Sequence, residues 1–167
     1  KAGVRAYLLH PSPKTKKKIA SLRPTEPALF NALNFIDIWP KERVLSYFDS
    51  SQEIINKLVF KMIKKNSVIF THCHSSTVSK ALIYAKKHGK KFQVLSTETR
   101  PVYQGRLTAR ELSKAKIPIT TYVDSGMHEA IEKSDFVLLG ADAILRSGAI
   151  NKIGSTAVAE ISFVHKK

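Results

Sequence analysis

From Ser67 onward the chain repeats one pattern: a short, strand-like run followed by a segment with helical spacing. The runs VIFT, FQVLS, ITTYV and FVLL fall at 68–71, 92–96, 119–123 and 136–139. The helical segments cover 76–88, closed by Gly89, then 108–114, opened by a Thr108–Glu111 capping box, then 127–132 and 155–165. Strands that are apolar throughout, rather than at alternate positions, are covered on both faces. Alternation of such strands with helices therefore predicts a parallel sheet. Right-handed crossovers make that sheet doubly wound.

Residues 1–66 read as helical. Thr25 is placed to cap a helix with Glu26 and Pro27 in its first turn, and Leu29, Phe30, Leu33 and Ile36 form the apolar stripe. Trp39-Pro40 breaks that pattern. Ser50 and Glu53 have the spacing of a capping box that starts the next helix, where Ile54, Ile55, Leu58, Val59, Met62 and Ile63 recur on one face. The expected fold is α/β. A helical region over 1–66 precedes a Rossmann-like, mostly parallel sheet over 67–167. The chain starts at Lys1 rather than Met and stops just past an apolar pattern, so both regions are expected to be truncated.

A hydrophobic content of 43% supplies a core, and no apolar run approaches the roughly 20 residues of a membrane span. Neither end reads as a secretory signal. A single cysteine excludes an internal disulfide and favours a reducing, cytoplasmic setting. The formal charge of +15 suits a polyanionic partner, either RNA or a phosphorylated substrate. Much of that charge has a plainer origin. Lys57, Lys61, Lys64 and Lys65 lie opposite an apolar helix stripe, and Lys86, Lys87, Lys90 and Lys91 bracket a helix end, where cations suit the dipole. Only Lys14, Lys16, Lys17 and Lys18 read as a free basic patch, so nucleic acid is a possible partner but not the favoured one.

In a doubly wound sheet, ligands bind outside the carboxyl ends of the strands, near the point where the strand order reverses. The first strand ends in His72, Cys73, His74, Ser75 and Ser76; the second in Thr97 to Pro101, then Gln104, Gly105 and Arg106; the third in Asp124-Ser125-Gly126; the fourth in Gly140-Ala141-Asp142. Cys73 has a plain reading as buried packing. Its place just before a helix N-terminus favours a reactive thiol instead. A phosphate-cradling Cys-x5-Arg loop is excluded because position 79 is Ser. Contiguous His72, Cys73 and His74 lack the gaps of a structural zinc site, so no metal is expected; in an extended segment the two histidines would point to the same side. Asp142 follows an apolar strand between small residues and is expected to be poorly solvated. A thiolate and a carboxylic acid facing one pocket can move a proton between adjacent carbons. Arg100, Gln104, Arg106, Lys152 and the helix start at Ser75-Ser76 are groups suited to phosphate.

The segments THCHSSTV, TETRPVYQGRLTARELSKAKIPIT, VDSG, LLGADAI and INKIGS, with RPTEPALFNAL upstream, closely resemble the translation initiation factor 2B alpha/beta/delta superfamily. That superfamily includes ribose-1,5-bisphosphate and methylthioribose-1-phosphate isomerases. The resemblance runs from about Arg23 to Glu160. It implies that Cys73 and Asp142 match the catalytic pair of the isomerase branch, which the regulatory subunits commonly lack. The implied reaction is conversion of ribose-1,5-bisphosphate to ribulose-1,5-bisphosphate in nucleotide salvage, with no cofactor. Asp142 would assist ring opening and Cys73 would carry the proton. Arg23, Gln104, Asn151 and Lys152 match substrate- and phosphate-contacting positions; Arg100 is added on physical grounds. The family's Arg/Gly-rich phosphate segment upstream is not visible here. The family also continues past this C-terminus with further strands and a dimer-forming region, which implies a homo-oligomer at full length and an unpaired edge strand here. The other reading is a regulatory subunit that binds nucleotide, sugar phosphate or initiation factor without turnover.

Overall fold

A computed structural model of the chain describes residues 2–22 and 27–167, so Arg23 and the Thr25 cap lie outside the described residues. The chain forms two compact units. One comprises Lys1–Glu53 and Asp142–Ile150, the other Ile54–Ala141 and Asn151–Lys167.

The first unit is helical. It holds α1 (Ala2–Leu9), α2 (Pro13–Ser21), α3 (Pro27–Phe35) and the beginning of α4 (Lys41–Met62). Its core is Val4, Ala32 and Val44, each essentially inaccessible, with Leu8, Phe35, Ile36 and Trp39 packed around them. Trp39 and Pro40 separate α3 from α4 as the sequence predicts. The proposed start at Ser50 is not a start: α4 runs unbroken through it, and Ser50 Oγ donates to the Tyr47 carbonyl at 3.0 Å inside the helix. Helix propagation over one more turn costs less than a new nucleus, so a capping signature inside an established helix is simply absorbed. The basic run lies on α2, where Ser12 caps the helix through a 3.1 Å bond from the Thr15 N–H. Within that run Lys16 is paired with Asp37 at 2.5 Å, so the patch is not wholly free.

The second unit holds the sheet. Its strands are β1 (Ser67–Thr71), β2 (Phe92–Thr97), β3 (Ile119–Tyr122) and β4 (Phe136–Val137), all parallel, in the order β3-β2-β1-β4. Between them run α5 (Ser76–Lys87), α6 (Gln104–Lys114), a single 3-10 turn (Asp124–Gly126) and α7 (Met127–Glu132); α8 (Ser155–Val164) follows. The chain moves outward from β1 to β3, then returns to the other side of β1. That is the doubly wound arrangement, with its reversal point at β1 and β4. Successive side chains of a strand point to opposite faces. Ile69 and Val94 accordingly join a core with Val59, Ile63, Val78, Leu82, Leu112 and Ile117, while Phe70 and Leu95 join Ala130, Ile131 and Val158 on the other face. Each of the larger of these side chains, Val, Leu, Ile or Phe, stabilises the fold by about 2 kcal/mol through burial. Two faces of cover explain why the central strands β1 and β2 read as largely apolar runs, while β3, at the sheet edge, exposes Thr120 and Thr121.

Two expectations need correction. Helix α6 starts at Gln104 rather than at a Thr108 cap, and Thr108 is a buried interior residue. The fourth strand stops at Val137, two residues short of its predicted end, although Leu138 N–H still donates to the Phe70 carbonyl at 2.9 Å. The segment after it, to which the sequence assigns no strand, contains an antiparallel hairpin of β5 (Ala143–Leu145) and β6 (Gly148–Ile150) in the helical unit. Among the described residues no helix is long and apolar enough to cross a membrane.

Candidate active site

The carboxyl end of β1 delivers Thr71, His72 and Cys73 into a buried corner, with exposures of 2%, 3% and 8%. Ser75 then caps α5 by accepting from the Val78 N–H at 3.4 Å. Cys73 has φ +68°, a left-handed conformation in which its Cβ is crowded. Both of its backbone polar groups are fixed by threonines from elsewhere. Its N–H donates to Thr99 Oγ1 at 3.0 Å, and its carbonyl accepts from Thr108 Oγ1 at 2.9 Å.

The turn at Cys73 separates the two histidines, so they do not share one side of an extended segment as expected. His72 bonds the end of β2 and the loop before α8: Nδ1 lies 2.5 Å from Thr97 Oγ1 and Nε2 lies 2.9 Å from the Ile153 carbonyl. A carbonyl only accepts, so Nε2 carries a proton, and in the neutral ring Nδ1 accepts from Thr97. His74 instead meets α6, with Nδ1 3.1 Å from Thr108 Oγ1.

The loop after β2 is equally constrained. Thr99 (φ +61°) and Tyr103 (φ +58°) are also left-handed, and the Arg100–Pro101 bond is cis. The Asp124 carboxylate holds this loop by accepting the Thr99 and Arg100 N–H groups at 2.8 and 2.6 Å. Partial burial acts to raise the pKa of Asp124. The Arg100 and Thr99 N–H donors, the His72 ring and Thr97 outweigh it and hold the carboxyl below its ordinary range.

Arg100 is exposed and stacks on the Tyr103 ring at 4.7 Å. Arg106 covers the same ring at 3.9 Å, but its guanidinium is bonded to Glu98 at 3.0 Å. Gln104 Oε1 is buried without a hydrogen-bond partner among the described residues, an acceptor that a ligand donor would satisfy. Asn151 donates to Ser155 Oγ at 2.9 Å, and Lys152 is half-buried beside it, one residue before the Ile153 carbonyl that His72 anchors.

A cleft of about 360 Å³ opens here, lined by His72, Arg100, Pro101, Asp124, Met127, Ile153 and Gly154. Of the predicted site residues, Arg100 lines it directly. Cys73 lies next in chain to its His72 wall, and Asn151 and Lys152 precede its Ile153 wall. A second cleft, of about 250 Å³, lies at the opposite ends of the strands among Asn66, Lys86, Lys91, Phe92, Gln93 and Pro118, and none of the predicted site residues lines it.

Asp142 is exposed, which corrects the expectation of a poorly solvated carboxyl. The physical reason is local. The fourth strand ends early, and Asp142 opens the hairpin, its N–H donating to the Ile150 carbonyl at 2.8 Å. It belongs to the helical unit, whereas Cys73 belongs to the sheet unit. Thr99, Thr108 and Asp124 escaped the sequence reading as site residues. Their signals were present, but Thr108 read as a helix cap and Asp124 as a strand-end turn.

A doubly wound sheet preceded by helices, with a constrained cysteine at its reversal point, defines an α/β protein whose candidate site lies at the end of β1. Residues 41–167 match the sequence model of the Initiation factor 2 subunit family, and the chain belongs to that family. It is 34% identical over 156 residues to the ribose 1,5-bisphosphate isomerase of Archaeoglobus fulgidus, covering 84% of this chain and 50% of that protein. It is 36% identical over 127 residues to translation initiation factor eIF2B subunit alpha of Dictyostelium discoideum, covering 75% of this chain and 40% of that one. Among solved structures, the Pyrococcus horikoshii OT3 translation initiation factor eIF-2B superposes with a TM-score of 0.81 at 27% identity, covering 92% of this chain and 59% of that chain. The chain thus spans about half the length of the curated relatives it matches.

Proposed function

We propose that this chain is part of a sugar-phosphate aldose–ketose isomerase of the ribose-1,5-bisphosphate branch. The observation that carries the reading is Cys73: a buried thiol in a left-handed turn at the reversal point, ahead of the α5 N-terminus, with its backbone fixed on both sides. Inert packing needs no such fixation. Likeness to archaeal proteins named ribose 1,5-bisphosphate isomerase, at 34–36% identity, supports the same branch.

The proposed reaction conserves every atom. Asp142 as the acid protonates the ring oxygen as the C1–O bond breaks. The Cys73 thiolate takes the C2 proton, giving an enol between C1 and C2 with the C1 phosphate retained. Cys73 returns that proton to C1, and the C2 hydroxyl proton passes back to Asp142 as the ketone forms. Arg23, Arg100, Gln104, Asn151 and Lys152 are the proposed phosphate- and substrate-binding residues. The full-length protein is proposed to work in the cytoplasm as a homo-oligomer without a cofactor.

The test is incubation of the full-length protein with ribose-1,5-bisphosphate while ketose formation is followed. Wild type is expected to turn over, and Cys73→Ser to lose about 10³-fold in kcat/KM, the scale of one acid–base group. No turnover by wild type overturns the reading. It would favour a non-catalytic regulatory subunit, the reading that likeness to an eIF2B alpha subunit supports.

A further inference from the structure

Cys73 does not hold its turn by itself. A left-handed conformation in a non-glycine residue costs about 1–2 kcal/mol and persists only where its surroundings over-determine it. The groups that do so form a single chain. The Thr108 hydroxyl has one proton, and it goes to the Cys73 carbonyl at 2.9 Å, which only accepts. The same oxygen lies 3.1 Å from His74 Nδ1. Since its proton is already committed, His74 Nδ1 must carry one and donate. The other ring nitrogen faces Glu111 at 3.9 Å. On the far side, the Cys73 N–H donates to Thr99 Oγ1, and the Thr99 N–H donates to the Asp124 carboxylate. Every bond therefore runs the same way, from the His74 ring through Thr108, Cys73 and Thr99 to Asp124. The Thr108 hydroxyl both accepts and donates, so the His74 and Cys73 carbonyl bonds polarise each other through it; the Cys73 and Thr99 N–H bonds add separate points of attachment.

We propose that Thr108 and His74 are positioning residues that lock Cys73 in its left-handed turn and so set the accessibility and aim of its thiol. Neither residue needs to touch substrate. Loss of the Thr108 hydroxyl removes the bonds it makes to the Cys73 carbonyl and to His74 Nδ1, and the turn relaxes toward an ordinary backbone conformation. The lock is a property of the described geometry. Only its kinetic consequence rests on the isomerase reading.

The experiment uses the full-length protein with two readouts. The first is alkylation of the Cys73 thiol by iodoacetamide, followed by mass spectrometry of the peptide that carries it. The second is kcat and KM for ribose-1,5-bisphosphate. Thr108→Val and His74→Phe are expected to speed alkylation about ten-fold and lower kcat about ten-fold with KM little changed, because about an ångström of misplacement is enough. Thr108→Ser restores the hydroxyl and His74→Asn restores a donor near Nδ1, so both should recover most of each loss. If Thr108→Val does not fold, the His74→Phe and His74→Asn pair decides. Equal alkylation rates in the disrupting and restoring variants overturn the lock, whatever the isomerase activity. A shift in alkylation with no turnover by wild type keeps the lock and removes the isomerase reading instead.

Discussion

The two rims of the sheet are built from the same kinds of turn and treat them differently. At the amino ends of the strands, Asn66 (φ +62°) and Lys116 (φ +58°) are left-handed, and both are exposed. Their turns close with ordinary backbone bonds: Asn66 N–H to the Lys91 carbonyl at 2.8 Å, and Lys116 N–H to the Ser113 carbonyl at 2.9 Å. At the carboxyl ends, Cys73 and Thr99 are left-handed and buried, and side chains hold them: Thr99 and Thr108 hold Cys73, and Asp124 holds Thr99. An exposed asparagine in that conformation is commonplace, but a buried, β-branched threonine is not. Where strain is buried and fastened by side chains, the surroundings hold a geometry that the backbone alone would abandon. The carboxyl rim is therefore the rigid one, and it is the rim that carries the candidate site.

The sharpest contrast between the rims is between two glycines. Gly105, in the first turn of α6, sits against the end of β2, and a Cβ there would be 1.8 Å from the Thr97 carbonyl oxygen. Gly89, on the amino side after α5, has φ +86° and nothing within 4 Å of the same added atom. Gly105→Ala is expected to destabilise by about 3 kcal/mol or more, because a helix and a strand end must part. Gly89→Ala should cost about 1 kcal/mol, for the left-handed backbone alone. Urea unfolding of the two variants measures the difference. Equal losses would break the distinction drawn between the rims.

A smaller effect separates the left-handed residues themselves. Glycine at Lys116 removes backbone strain and forfeits little else, so Lys116→Gly should be neutral or stabilise by up to about 1 kcal/mol. Thr99→Gly relieves the same strain but deletes the hydroxyl that accepts the Cys73 N–H, in a residue that is 1% exposed. The buried N–H loses that acceptor, and a net loss of about 1–2 kcal/mol is expected. Denaturant midpoints should therefore move in opposite directions. Stabilisation by both substitutions would mean that the threonine hydroxyl contributes nothing.

The same contrast explains what was legible in the sequence. The parallel sheet could be read because Ile69, Phe70, Val94 and Leu95 are buried on opposite faces, and two-sided burial leaves unbroken apolar runs. Cys73 could be picked out because a lone thiol between an apolar strand and a helix is chemically conspicuous. Its fastenings could not. A hydroxyl that bonds a backbone 35 positions away, as Thr108 does, leaves no local periodicity, and Thr108 with Glu111 imitates a cap. The hairpin after the fourth strand was hidden for a related reason. β5 and β6 are only three residues each and largely exposed, so neither apolar alternation nor a glycine-first turn marked them. With the hairpin unseen, the solvent exposure of Asp142 was misjudged as well.

The smallest expected effect is a pH dependence confined to the carboxyl rim. The N–H groups of Arg100 and Thr99 hold the Asp124 carboxyl below its ordinary value of 3.8 in the folded chain, despite partial burial that acts the other way. The unfolded chain takes up that proton near 3.8, the folded chain only at lower pH. Between those two values the unfolded state binds more protons, so stability falls as pH falls. The contribution of Asp124 is fully present above 3.8 and is gone once the pH drops below the folded value. Asp124→Asn keeps one acceptor oxygen but has no such titration. The stability gap between wild type and Asp124→Asn should be constant from about pH 7 to about pH 5 and close as the pH is lowered further. Solvent screening at a partly exposed rim keeps the gap modest. Unfolding midpoints of the two proteins across that range decide it: a gap that stays open at the lowest pH would mean that Asp124 holds the Thr99–Arg100 loop by shape rather than by charge.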